Sequence, residues 1–138
     1  YLDPWADQFP DLLDVLAQKY PITIPGFHRI EFDDGTLLTL IFDDVNDAMP
    51  RLEAKVDCWF LDGFRPASNP DMWSDIVFES MARLSKGGAS FATFTAAGFV
   101  KRGLKDVGFE VEKIAGFGRK REMLIGRFNK KPDQGGGI

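Results

Sequence analysis

Residues 56–73, VDCWFLDGFRPASNPDMW, decide the fold. Val56, Cys58, Trp59, Phe60 and Leu61 form a short, nearly continuous apolar run. Such a run fits a strand covered on both faces, as in a parallel sheet, better than one with a wet side. Asp62-Gly63 stops it. A carboxylate at the carboxyl end of a buried parallel strand, followed by a backbone that can approach a ligand closely, is where open α/β sheets place their chemistry.

Working outward from that strand, residues 1–20 carry the helical stripe Leu12, Leu13, Val15 and Leu16, ended by Pro21 and Pro25-Gly26. FHRIEF and LLTLIF flank Asp33-Asp34-Gly35, a hairpin signal. Asn46, after Asp43-Asp44, is expected to cap a short helix running to about Leu52. Asp71 or a neighbour opens a helix bearing Ile76, Val77, Phe78, Met81 and Leu84, with Lys86-Gly87-Gly88 as its stop. ASFATF reads as a strand, and residues 96–107 as a helix stopped by Gly108. FEVEKIAGF and REMLIGRF read as two further strands, antiparallel because no helix separates them. After residue 36 the order β-α-β-α-β-α-β-β predicts an α/β fold with a mostly parallel sheet. The Gly-rich end, NKKPDQGGGI, reads as a flexible tail.

The chain has 138 residues, which is the size of one domain with a real core, and its composition is that of an ordinary globular protein. No run of about 18 apolar residues indicates a membrane span, and no signal peptide is indicated, so the expected location is cytoplasmic. One Cys and one His are too few for a structural zinc site, so no metal is expected. Cys58 reads as a small buried hydrophobe. His28, in an apolar hairpin, reads as structural. There is no G-x-S-x-G, no G-x-G-x-x-G and no P-loop, which removes the usual signatures of Ser/His/Asp hydrolysis and of dinucleotide or triphosphate binding.

The net charge of −4 hides an asymmetry. Residues 1–95 carry 7 Lys/Arg against 16 Asp/Glu, whereas residues 96–131 carry 10 against 4. The basic half, with Lys101-Arg102 and Arg119-Lys120-Arg121, fits either a polyanionic partner or an ordinary solvated surface. Asp43 and Asp44 likewise have two readings: acceptance of a hydrogen bond from an exocyclic amine such as that of adenine, or solvation of a turn. Asp62 has fewer structural excuses. Phe64, Trp73 and Phe117 are placed to stack on a base or to fill the core. Asp43-Asp44, Asp62-Gly63-Phe64 and Thr93-Phe94-Thr95 are expected to share one carboxyl-end rim.

Three strings, DCWFLDGFRPASNPDMW, GGASFATFTAAGFVKRGLKDVGF and GFGRKREML, resemble the methyltransferase domain of the MnmC family of bifunctional tRNA-modifying proteins. The resemblance extends over residues 2–127 and includes DPWADQ and PGFHRI. It implies a Rossmann-like class I fold that uses S-adenosylmethionine to methylate the aminomethyl group of a modified wobble uridine in tRNA. On that resemblance Asp44 matches the carboxylate near the cofactor adenine, and Asp62, Gly63 and Phe64 match the cofactor and substrate junction. Asp62 is the candidate for orienting the amine. Asn69, Pro70, Trp73 and Phe117 would shape the substrate mouth. Lys101, Arg102, Arg119, Lys120 and Arg121 would meet tRNA.

Family members also carry first strands with a glycine-rich cofactor turn, which this sequence lacks, and an FAD-dependent oxidase domain, which is not in this chain. The expectation is therefore a partial methyltransferase domain over residues 1–128: a helical lead (1–26), a hairpin (27–42) and an α/β part (43–128), with tail 129–138. Cofactor binding by the chain alone would be poor. An exposed sheet edge would invite self-association or the missing N-terminal segment. The alternative function is an inactive remnant that dimerises or binds tRNA without turnover.

Overall fold

The computed structural model describes residues 7–62, 70–116, 118 and 122–129. Gly63, Phe64, Asn69, Phe117, Arg119, Lys120 and Arg121 lie outside the described residues. The chain divides into two compact units, Tyr1–Asp44 and Val45–Ile138.

In the first unit, helix α1 (Pro10–Lys19) starts with Pro at its first position, where a missing N–H costs nothing. Strands β1 (Gly26–Glu31) and β2 (Leu37–Phe42) pair antiparallel as a two-stranded sheet, with Ile30 opposite Leu38. Gly35 takes φ +88° in the connecting turn, a conformation that side chains disfavour. The Thr36 amide donates to Asp34 Oδ1 at 2.9 Å, and this bond holds the Asp34 carboxyl below its ordinary range. Lys19 Nζ ties α1 to the hairpin by donating to the Glu31 carbonyl at 2.6 Å. His28 Nε2 lies 2.9 Å from the Ile24 carbonyl oxygen, and its ring lies 5.0 Å from that of Phe42.

The second unit runs α2 (Val45–Arg51), β3 (Val56–Leu61), a 3₁₀ turn (Pro70–Trp73), α3 (Asp75–Leu84), β4 (Ser85–Thr93), α4 (Gly98–Asp106), β5 (Phe109–Ala115) and β6 (Glu122–Phe128). Its four-stranded sheet has the order β3-β4-β6-β5, with β3 and β4 parallel and β6 antiparallel to both of its neighbours. The fold is α/β with a mixed sheet, and the antiparallel terminal pair matches the expectation. The mostly parallel sheet does not. Among the described residues β2 pairs only with β1, leaving β3–β4 as the parallel pair.

The core of this unit lies on one face of the sheet, where Val77, Phe78 and Met81 of α3 and Val100 and Leu104 of α4 meet Phe91, Phe109, Leu124 and Phe128. Met81, Leu84, Leu104 and Leu124 are almost completely buried, each worth about 2 kcal/mol of transfer free energy. The two helices come close because Gly103 lacks a side chain: a Cβ there would lie 2.6 Å from Phe78 Cδ2. Ser74 caps α3 by accepting the Val77 amide at 3.3 Å.

Three local expectations are corrected. Lys86-Gly87-Gly88 does not stop α3; the helix passes straight into β4 at Ser85, and the glycines form the irregularity where the β3–β4 register shifts between Val56 and Cys58. Asn46 is not the cap of α2, since it lies inside the helix and its side chain reaches Asp71 and Ser74 instead. Cys58 is exposed rather than buried, and Phe60 is 82% exposed. Alternation along β3 puts Trp59 and Leu61 on the face shared with the core and Cys58 and Phe60 on the opposite, exposed face; among the described residues β3 is also an edge strand.

Pro50 sits in the last turn of α2, and Arg83 of α3 takes up the carbonyls around it, donating from Nη2 to Met49 (2.9 Å), Leu52 (3.0 Å) and Pro50 (3.4 Å). A cation on the carbonyl end of a helix also complements its dipole. Arg83→Ala is expected to lower unfolding stability by about 1 kcal/mol, the worth of a charge-assisted bond discounted for exposure, read from the midpoint of a urea titration.

Candidate functional site

The carboxyl ends of β3 and β4 lie side by side because the strands are parallel and Leu61 pairs with Thr93. Asp62 follows the first and Phe94-Thr95 the second. Thr93, 2% exposed, donates from Oγ1 to the Thr95 carbonyl at 2.6 Å and accepts the Thr95 amide at 3.0 Å. Thr95 Oγ1 in turn accepts the Ala97 amide at 3.2 Å. These bonds turn the chain tightly from β4 toward α4.

Asp62 is exposed, and among the described residues no hydrogen bond or ion pair engages its carboxylate. It borders a hollow of about 260 Å³ on the α3 side of the sheet. The walls are Val45 and Met49 of α2, Trp59 and Leu61 of β3, Met72 and Trp73 of the 3₁₀ turn, and Val77 and Met81 of α3. Trp59 is held upright by donating from Nε1 to Ser85 Oγ at 2.8 Å, and Ser85 donates onward to the Met81 carbonyl at 2.6 Å. One carboxylate at the mouth of an aromatic and thioether-lined hollow suits a flat heterocycle bearing a hydrogen-bond donor.

Of the residues expected from sequence, the structure brings Asp62 and Trp73 to this hollow and puts Pro70, exposed, at the start of the turn beside it. Asp44 ends the first unit, with its amide donating to Asp43 Oδ1 at 2.8 Å. Lys101, half-buried, and Arg102, exposed, lie on α4. Sequence reasoning did not single out Val45, Met49 and Met72, which line the hollow. It also missed the bonds joining Asn46 to the 3₁₀ turn. Among the described residues no group of His, Cys, Asp and Glu is arranged to hold a metal ion, and no helix is long and apolar enough to cross a membrane.

Comparison with known proteins gives a consistent picture. A family model described as S-adenosyl-L-methionine-dependent methyltransferase matches residues 7–129. The tRNA 5-methylaminomethyl-2-thiouridine biosynthesis bifunctional protein MnmC of Ectopseudomonas mendocina (strain ymp) is 51% identical over 129 residues, covering 93% of this chain and 20% of that protein. The protein of the same name from Marinomonas sp. (strain MWYL1) is 54% identical over 115 residues, 83% of this chain and 17% of its own length. The chain thus spans about a fifth of the length of these curated relatives. The crystal structure of MNMC2 from Aquifex aeolicus superposes with a TM-score of 0.67 over 86% of this chain and 36% of that one, at 21% identity, a likeness of fold.

Proposed function

The chain belongs to the S-adenosyl-L-methionine-dependent methyltransferase family, and on that premise we propose that it forms the methyl-accepting side of a tRNA-modifying enzyme. The reaction moves a methyl group from S-adenosylmethionine to the aminomethyl nitrogen of a modified wobble uridine. The observation that carries this reading is Asp62: an exposed carboxylate, unengaged among the described residues, at the carboxyl end of a parallel strand and beside a base-sized aromatic hollow. The name of the relatives, biosynthesis of tRNA 5-methylaminomethyl-2-thiouridine, supports the choice of acceptor.

Methyl transfer to an amine forms a C–N bond as the C–S bond of the sulfonium breaks, so the nitrogen lone pair must lie in line with that bond and the amine must be unprotonated. Asp62 accepts an N–H of the amine and so aims the lone pair, an effect of orientation more than of basicity. The proton released from nitrogen passes to the carboxylate or to water. On the family resemblance Asp44 would hold the cofactor's adenine amine, Gly63 and Phe64 would complete the junction with the cofactor, and Asn69, Pro70, Trp73 and Phe117 would shape the mouth. The outer edge of β3 would receive the strands that carry the glycine-rich cofactor turn in the family, which would pair its open backbone edge.

Lys101, Arg102, Arg119, Lys120 and Arg121 meet tRNA phosphates. A Lys101→Ala/Arg102→Ala double variant is expected to weaken tRNA binding about tenfold at low salt. It should also flatten the slope of log affinity against log salt by between about one and two, measured by filter binding across a salt series. An unchanged slope would remove α4 from the interface. The function itself is tested by incubating S-adenosylmethionine and tRNA bearing 5-aminomethyl-2-thiouridine with a polypeptide that carries these residues and a glycine-rich cofactor turn. The reading requires conversion of that nucleoside to its methylated form.

The edge of β3 favours one second reading, pairing of two copies through that strand without turnover. Sedimentation of the 138-residue chain distinguishes the two, since that second reading requires a dimer.

A further inference from the structure

The 3₁₀ turn that walls the hollow is held from α2 by a relay of side-chain bonds. Asn46 donates from Nδ2 to the Asp71 carbonyl at 2.8 Å. Ser74 Oγ donates to Asn46 Oδ1, and the same Oγ accepts the Val77 amide at 3.3 Å as the cap of α3. One amide therefore joins three elements: α2, the Pro70–Trp73 turn and the first turn of α3. Both ends of the amide are used, and they are not interchangeable. The oxygen must face a hydroxyl donor and the nitrogen a carbonyl acceptor.

Asn46 does not line the hollow, but its neighbours in this relay do. Val45 precedes it, Met72 and Trp73 lie between its two bonded partners, and Val77 ends the relay. Arg83 fixes the far end of α2 on the same helix α3. With α2 fastened at both ends, the spacing between Met49 and the Met72–Trp73 pair is set by polar bonds rather than by apolar contact alone. Apolar contact is non-directional and tolerates sliding; a two-ended amide does not.

We propose that Asn46 is a positioning residue: it fixes the Pro70–Trp73 turn over the hollow beside Asp62, and so sets the opening that admits the methyl-accepting pyrimidine nucleoside. The assignment of the hollow to that nucleoside rests on the function proposed above; the hold of Asn46 on the turn does not. Asp at position 46 separates positioning from helix stability. It retains the oxygen that Ser74 uses and suits the first turn of α2 as well as Asn does, yet it puts an acceptor against the Asp71 carbonyl. The substitution therefore breaks the bond to Asp71 and keeps the acceptor for Ser74, the cap of α3.

The experiment uses the ¹⁵N-labelled 138-residue chain in the wild-type, Asn46→Asp, Asn46→Ala and Ser74→Ala forms. Three signals are read: the Trp73 indole N–H, the Val77 amide exchange rate, and the Kd of 5-aminomethyluridine from shifts at the Trp73 indole. Asn46→Asp is expected to move the Trp73 indole resonance, leave Val77 exchange within about twofold, and weaken the nucleoside at least tenfold, with the melting midpoint little changed. Asn46→Ala and Ser74→Ala should in addition speed Val77 exchange or broaden the turn. An unmoved Trp73 indole in Asn46→Asp, or a nucleoside Kd within twofold of wild type, overturns the proposal. If 5-aminomethyluridine shifts nothing in the wild-type chain, the assignment of the hollow falls, while the indole and Val77 signals still decide whether Asn46 holds the turn.

Discussion

Asp62→Ala is expected to cut methyl transfer by about a hundredfold or more while leaving the Kd for tRNA within about twofold. The carboxylate stands at the end of β3, and Leu61 beside it is paired to Thr93, whose own hydroxyl is locked to Thr95. Removing it leaves the Thr93–Thr95 bonds intact and takes away the group proposed to aim the amine. The loss should therefore fall on kcat rather than on KM, because the in-line geometry matters only as the bond forms. Asp62→Asn keeps an oxygen acceptor without the charge and should fall between alanine and wild type. Single-turnover rates with saturating tRNA read this directly. Turnover near wild type in Asp62→Ala would remove the positioning role.

The second large effect is on stability. Gly126 lies mid-strand in β6, between Phe91 of β4 and Val111 of β5. A Cβ there would collide with the Glu110 carbonyl oxygen and come within 2.7 Å of the Phe91 ring. The first obstacle is backbone, so no rotamer change relieves it; the strands must part. Gly126→Ala is expected to cost about 3 kcal/mol or more, lowering the melting midpoint by roughly 15 °C, since overpacking a fixed backbone lies at the upper end of such penalties. Calorimetry of the variant checks it. A loss below about 1 kcal/mol would mean that β6 does not sit between its neighbours in this register.

Much of this architecture was legible because short-range chemistry dictated it. Asp33-Asp34-Gly35 marked the hairpin, and Gly35 does adopt the left-handed conformation such a turn needs. Gly108, at φ +111°, follows α4 as the stop that its position announced. The apolar run ended by Asp62 gave both the strand and the candidate carboxylate. What failed was whatever depended on which strands become neighbours. A continuous apolar run is the same whether one face of β3 is covered or both, so Cys58 and Phe60 read as buried and are exposed. Lys86-Gly87-Gly88 resembles a helix stop but accommodates a register shift against β3. The bond from Ser74 to Asn46 spans 28 residues and leaves no periodic trace. Asn46 therefore read as a local cap, when its partners come from the turn and helix beyond β3.

In the proposed function, the carboxyl end of β3 is the methyl-transfer corner of a tRNA methyltransferase. The most direct measurement is nucleoside mass spectrometry of tRNA bearing 5-aminomethyl-2-thiouridine after incubation with S-adenosylmethionine and a polypeptide carrying these residues with a glycine-rich cofactor turn, beside its Asp62→Ala form. The account predicts 5-methylaminomethyl-2-thiouridine from the first and at most about a hundredth of that rate from the second. Equal product from both, or methylation of a different nucleoside, would contradict it.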